Sequence, residues 1–142
     1  SKKRAPVIVA TTSAAPESQA AKLRKVGAEI WRLPSRRGGV DLRALLERLA
    51  SSGKNSVLVE GGAAVHGAFM YDGLCDRAVY VVAPKILGGD DAVTAVTGPG
   101  PATMEGAVVL RDVETKRYGQ DVMITGVPDF SASGVGEERA RR

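Results

Sequence analysis

The segment Val57 to Gly67, VLVEGGAAVHG, holds the residues whose types and order could do chemistry. An apolar run ends on Glu60, two glycines follow at once, and a helix-forming stretch begins. Glycines at such a turn let backbone N–H groups approach a phosphate with no Cβ in the way. A helix start adds unpaired N–H donors and the positive end of the helix dipole. Together these suit a pyrophosphate. Glu60 stands at the carboxyl end of the apolar run, the edge where open α/β sheets bind ligands. A carboxylate there can accept hydrogen bonds from ligand N–H groups. One loop could thus hold a cofactor phosphate and a second ligand. A plainer reading stands beside this one. Gly-Gly between a strand and a helix is a common tight connection, and the spacing is not the Gly-x-Gly-x-x-Gly of the dinucleotide fingerprint, although Gly67 lies further along.

Other residues with chemical potential carry less. His66 lies on the first turns of the helix, where an imidazole could serve as a general acid. The better reading has its side chain packed or in solvent and its backbone N–H as the contributor. Lys85 could attract a phosphate, yet a lysine after a proline at a strand end is usually solvated. Arg36-Arg37 could reach a 2′-phosphate but reads better as part of an exposed loop. Asp90-Asp91 lacks the further ligands a metal needs. Trp31 alternates with charged neighbours and reads as packing, and Cys75 as a small core residue.

The elements that must position Glu60 and the glycines follow from the hydrophobic pattern. Ala5–Thr12 reads as a buried strand through Val7, Ile8 and Val9. Pro16–Val26 reads as a helix, with Pro16 in its first turn and Gly27 just past its end. Ala28–Leu33 is a second strand, closed by Pro34, and Ser35–Gly39 a polar loop. Asp41 is the expected N-cap of a helix over Leu42–Ala50, whose leucines at 42, 45, 46 and 49 share one face. Ser56–Glu60 reads as a third strand, Ala63–Tyr71 as a helix, and Cys75–Pro84 as containing a fourth strand centred on VYVVA. Ile86–Glu105 is an irregular loop. Val108–Tyr118 and Asp121–Val127 form a hairpin turning at Tyr118-Gly119-Gln120-Asp121. The alternation predicts an α/β fold with a mainly parallel sheet, flanking helices and a C-terminal antiparallel hairpin. Residues 1–128 form the folded part, and 129–142, small, polar and charged, are expected to be a disordered tail.

The bulk properties exclude several function classes. A chain of 142 residues with 44% hydrophobic and 25% charged residues fits one globular domain. The net charge of +4 is not spread over it. Three basic side chains lie in the first four residues, and the last six carry three Arg against two Glu, so the stretch between is neutral. There are only six aromatic residues, and no basic stripe interleaves with them, so no nucleic-acid partner is expected. One Cys and one His make neither an internal disulfide nor a four-ligand zinc site. No apolar run reaches membrane-spanning length and none resembles a signal peptide, so no membrane partner and a cytoplasmic location are expected.

From Val57 to Gly89 the chain resembles the signature of the riboflavin-biosynthesis pyrimidine reductases. The matching pieces are Val59-Glu60-Gly61-Gly62, Gly73-Leu74-Cys75-Asp76 and Ala83-Pro84-Lys85-Ile86-Leu87-Gly88-Gly89, in order. The stretch Tyr118-Gly119-Gln120-Asp121-Val122, followed by Met123-Ile124-Thr125-Gly126, is similar to the family's last hairpin. The resemblance spans about half the chain. It implies a dihydrofolate-reductase-like fold, incomplete here at its N-terminal end, since the chain opens at what resembles the middle of the domain. It implies an oxidoreductase that uses NADPH to reduce 5-amino-6-(5-phosphoribosylamino)uracil to the ribitylamino product. It also implies a homodimer. By position, Glu60 would contact the substrate, and Gly62, Ala63, Ala64, Val65, His66, Gly67 and Ala68 would line the NADPH site. Thr11 and Thr12 would lie near the adenosine ribose or its 2′-phosphate. No residue is assigned as proton donor and no metal is expected. Many family members carry a zinc deaminase domain with His-x-Glu and Pro-Cys-x-x-Cys patterns. Neither pattern occurs in these residues, so deaminase activity is not expected of them. An alternative in another class is a non-catalytic module that completes a reductase fold with another chain.

Overall fold

Backbone pairing and packing divide the protein, described here from a computed structural model, into two units, residues 1–57 and residues 58–142. The structure describes residues 5–131 and 133, so the expected tail lies mostly outside the described residues.

The first unit opens with strand β1 (Val7–Thr11), helix α1 (Glu17–Lys25) and strand β2 (Ala28–Arg32). The two strands pair in parallel, Val7 opposite Ala28 through Thr11 opposite Arg32. A crossover helix is what a parallel pair requires. Gly27, with φ +93, turns the chain out of α1, a conformation that a side chain would strain. Arg32 then ties the unit together. Its guanidinium donates to the carbonyls of Thr12 (2.8 Å) and Ala15 (3.0 Å) and to the Glu17 carboxylate (2.8 Å), which also accepts from Arg24. These contacts hold the Glu17 carboxyl below the usual glutamate range, Arg24 contributing most and Arg32 next.

Ser35–Gly39, expected as a loop, instead forms with Val40 a small antiparallel hairpin, β3 (Ser35–Arg36) with β4 (Gly39–Val40). Its two turn residues, Arg37 and Gly38, both have positive φ (50 and 80), the geometry of the tightest hairpin turns. Asp41 caps helix α2 (Leu42–Ser51) as expected, accepting from the N–H groups of Arg43 (2.9 Å) and Ala44 (3.2 Å). Trp31, Leu33 and Ala20 are the buried apolar residues of this unit. The Trp31 ring lies under the Arg48 guanidinium of α2, 4.6 Å from its centroid, and its indole N–H donates to Glu29. That joins the second strand to the second helix.

The third strand is not formed. Ser56–Glu60 has no strand partner among the described residues, and Leu58 is 80% exposed. The composition of a fully buried strand is present without the neighbours that would pair and cover it. The sole parallel pairing among the described residues is therefore β1 with β2.

The second unit contains helix α3 (Ala63–Tyr71), strand β5 (Ala78–Val82), a 3-10 turn at Met104–Gly106, and strands β6 (Val109–Tyr118) and β7 (Asp121–Asp129). The sheet runs β5-β7-β6 and is antiparallel throughout. A bulge interrupts the β6–β7 register between Arg111 and Glu114, with Asp112 at φ 50. Beyond the bulge, Arg111 pairs with the Asp129 carboxylate. Phe69 and Ala78 are the buried apolar residues here. No helix among the described residues is long and apolar enough to cross a membrane.

Two stability predictions follow from these contacts. Trp31→Ala should cost about 3–5 kcal/mol in urea unfolding, while the same change at fully exposed Ile86 should cost almost nothing. Glu17→Gln should lower the melting temperature at neutral pH. Because the folded carboxyl titrates below its unfolded value, that difference is full above about pH 4.3 and should close as pH falls further, measured by thermal melts across pH.

Candidate functional site

Glu60 and the two glycines lead directly into α3, as the motif requires. Glu60 is exposed, Gly61 is half-buried and Gly62 is exposed at the N-cap of the helix. Gly62 takes φ −64 and ψ 174, a conformation open to any residue, and no side chain caps the helix start. Its carbonyl accepts the N–H groups of Val65 (2.9 Å) and His66 (3.1 Å). The N–H groups of Ala63 and Ala64 belong to the first turn and have no acceptor within the helix.

The two glycines differ in what holds them. A Cβ on Gly61 would come within 2.8 Å of the Val65 Cβ, so packing excludes a side chain there. A Cβ on Gly62 would meet nothing within 4 Å. The fold itself leaves position 62 free. The space in front of it is where an anion would approach the Ala63 and Ala64 donors. The chain therefore offers what a phosphate group needs: open N–H donors, a helix dipole and no obstructing side chain.

The remaining residues read from the motif are placed as follows. Ala64, Val65 and Ala68 are exposed on α3, and Ala63 and His66 are half-buried. The His66 side chain is tied to a loop carbonyl. Its Nδ1 donates to the Ala95 carbonyl at 3.1 Å, and its backbone N–H is used inside the helix. Gly67 is buried, and a Cβ built on it would lie 1.6 Å from the Thr97 carbonyl oxygen. The segment after the Ala83–Gly89 motif thus returns to α3, a packing that the irregular Gly- and Thr-rich composition of residues 86–105 did not reveal. Thr12 lies in the first unit, where its hydroxyl accepts from the Ala14 N–H (3.3 Å) and closes a turn. Cys75 is half-buried and donates to the Arg77 carbonyl, and burial pushes its thiol pKa up, so it is not poised as a nucleophile.

A mixed α/β chain in which a Glu-Gly-Gly turn leads into an uncapped helix start presents open backbone donors that an anion could approach. Comparison with known proteins gives the family. Residues 1–124 match the family described as the RibD C-terminal domain, and the chain belongs to that family. It is 36% identical over 120 residues to the 2,5-diamino-6-ribosylamino-4(3H)-pyrimidinone 5′-phosphate reductase of Methanothermobacter thermautotrophicus, covering 84% of this chain and 54% of that one. Among solved structures it resembles Acinetobacter baumannii RibD (TM-score 0.66, 19% identity, 86% of this chain and 37% of that one). It also resembles the riboflavin biosynthesis reductase of Saccharomyces cerevisiae (TM-score 0.64, 23% identity, 87% and 52%). These likenesses establish the dihydrofolate-reductase-like fold anticipated from the motifs. The chain spans about half the length of these relatives, or less.

The two glycines give a direct check of the site's construction. Gly62→Ala should fold normally, with a stability loss under about 1 kcal/mol from the poorer N-cap. Gly61→Ala should lose more, about 1–3 kcal/mol, through the clash with Val65. Urea denaturation of the two variants separates these outcomes.

Proposed function

We propose that this chain forms the cofactor-binding part of a pyrimidine reductase of riboflavin biosynthesis. The reaction would convert 5-amino-6-(5-phosphoribosylamino)uracil to its 5-phosphoribitylamino product at the expense of NADPH. The observation that carries the reading is the open face of Gly62 beside the unbonded first-turn amides of α3, in a chain that belongs to the RibD C-terminal domain family. Gly62, Ala63 and Ala64 would supply donors to the NADPH pyrophosphate. Val65, His66, Gly67 and Ala68 would form the wall behind them. When bound, NADPH would supply the hydride for C1′ of the ring-opened sugar imine, with a proton from solvent or protein completing the amine. Glu60, one residue before the glycines and exposed, would accept hydrogen bonds from N–H groups of the pyrimidine.

A second substrate is supported by the name of the M. thermautotrophicus relative, which is a reductase of the 2,5-diamino-pyrimidinone. The two substrates differ at C2, oxo or amino, and a carboxylate favours the one that presents the additional N–H donors. A second function is supported by β5. Val79, Tyr80, Val81 and Val82 are 52, 36, 66 and 52% exposed, so both faces of this edge strand are uncovered. A run apolar on both faces suits an interior strand. This favours a chain that associates, with itself as a homodimer or with a polypeptide that completes the sheet.

Calorimetric titration with NADPH, and with NADH as control, tests the cofactor reading. Saturable binding that prefers NADPH is the expected result, and no binding by the folded chain would leave the association reading. In a turnover-competent preparation, Glu60→Gln should weaken turnover of either pyrimidine by about ten-fold or more, as expected when a charge-assisted hydrogen bond is lost. Unchanged kinetics would remove Glu60 from the site.

A further inference from the structure

Residues 95–100 run along one side of α3 and touch it at three levels. The Thr97 N–H donates to the Ala63 carbonyl at 3.1 Å. The Thr97 carbonyl oxygen stands where the Gly67 Cβ would be, 1.6 Å from that position. Gly98, at φ +142, lies against the Tyr71 ring, where a Cβ would come within 2.9 Å of Cδ2, and Gly100 faces the Tyr71 hydroxyl. Ala63, Gly67 and Tyr71 are spaced i, i+4, i+8 and form one stripe of the helix. Beside that stripe, His66 Nδ1 holds the Ala95 carbonyl.

We infer that this segment is a strap that positions the first turn of α3 for the cofactor phosphate, and that Gly67 is the positioning residue that lets it close. The inference rests on the cofactor reading above. The physical link is a single peptide plane. The Ala63 carbonyl and the Ala64 N–H belong to the same rigid amide. Thr97 binds the carbonyl end, which fixes the direction of the N–H end and polarises it toward an acceptor. Ala64 is one of the two first-turn donors left open beside Gly62. Thr97 can reach Ala63 only if its own carbonyl fits against residue 67, and only a residue without a side chain allows that. A methyl group would meet backbone rather than a flexible side-chain end, so the strap must lift.

Gly67→Ala in the full chain, with His66→Ala as a milder second variant, tests this by two independent readouts. Amide hydrogen exchange without nucleotide reads the strap. Faster exchange at Thr97 than in the parent, with the β5–β7 ladder still protected, is expected for both variants. NADPH titration reads the positioning, with Kd expected to rise about ten-fold for Gly67→Ala and less for His66→Ala. If exchange at Thr97 rises and NADPH affinity is unchanged, the strap does not position the site and the inference fails alone. If affinity falls with exchange at Thr97 unchanged, residue 67 acts on the ligand directly and the inference also fails. If the parent chain binds no NADPH, the cofactor reading fails, and the positioning role with it. Should Gly67→Ala not fold, His66→Ala decides by the same criteria.

Discussion

Strand β7 has hydrogen-bonded neighbours on both sides, and the second unit depends on that arrangement. Its residues Val122 to Gly126 pair with β5 on one edge, and on the other Asp121 to Thr125 and Val127 to Asp129 pair with β6. Gly126 and Pro128 are buried, and a Cβ on Gly126 would press on Leu110 of β6 at 2.9 Å. A strand paired on both edges leaves no backbone donor or acceptor along its ladder in need of water, and so anchors whatever is attached to it. What is attached is β5. Helix α3 leads into β5 through the Asp72–Arg77 connection, and the strap leaves it through Ala83. The helix start with its glycines and the strap that presses on it therefore lie in the chain on either side of β5, which β7 holds.

The proposed site would consequently be built on a helix held from the side, not on a free loop. Ordinarily a side chain at the N-cap accepts one of the free amides of a helix start. Gly62 has none to offer, and the first turn keeps its donors. Such a start would fray if nothing else restrained it. The strap restrains it through the carbonyl side of the same peptides, which leaves the N–H side open. In the proposed reading, stability and ligand access would lie at opposite ends of the same amides.

Much of this was legible in the sequence, and the reasons are local. Helix α3 appears over Ala63–Tyr71 as the pattern predicts, Asp41 caps α2, and the hairpin turns at Tyr118–Asp121. In each case the signal is carried by adjacent residues. The Ser35–Val40 hairpin was missed because its turn places Arg37 at positive φ, where Asn or Asp is the usual signal. The Ser56–Glu60 strand was overcalled because composition reports what a segment can bury, while a strand also needs a partner. The strap was missed for a different reason. The contact between Thr97 and Gly67 joins backbone to backbone between segments far apart in the chain, and neither residue type announces it. The Glu60-Gly61-Gly62 motif does run into a helix start, although no strand precedes it, and the resemblance that gives it weight is to the family the chain belongs to.

Three glycines of one short segment show why residue type alone leaves function open. Gly61 is required by Val65, Gly67 by the Thr97 carbonyl, and Gly62 by neither. A glycine whose missing side chain is filled by the protein's own atoms has a packing explanation that is complete without a ligand. Gly62 has only the modest N-cap preference, which Ser, Asp or Asn would satisfy better. Those residues would also occupy the donors that Gly62 leaves free. The position is thus occupied by a residue that serves the helix less well and an approaching anion better. That trade distinguishes the glycine proposed to face a ligand from the two that packing explains.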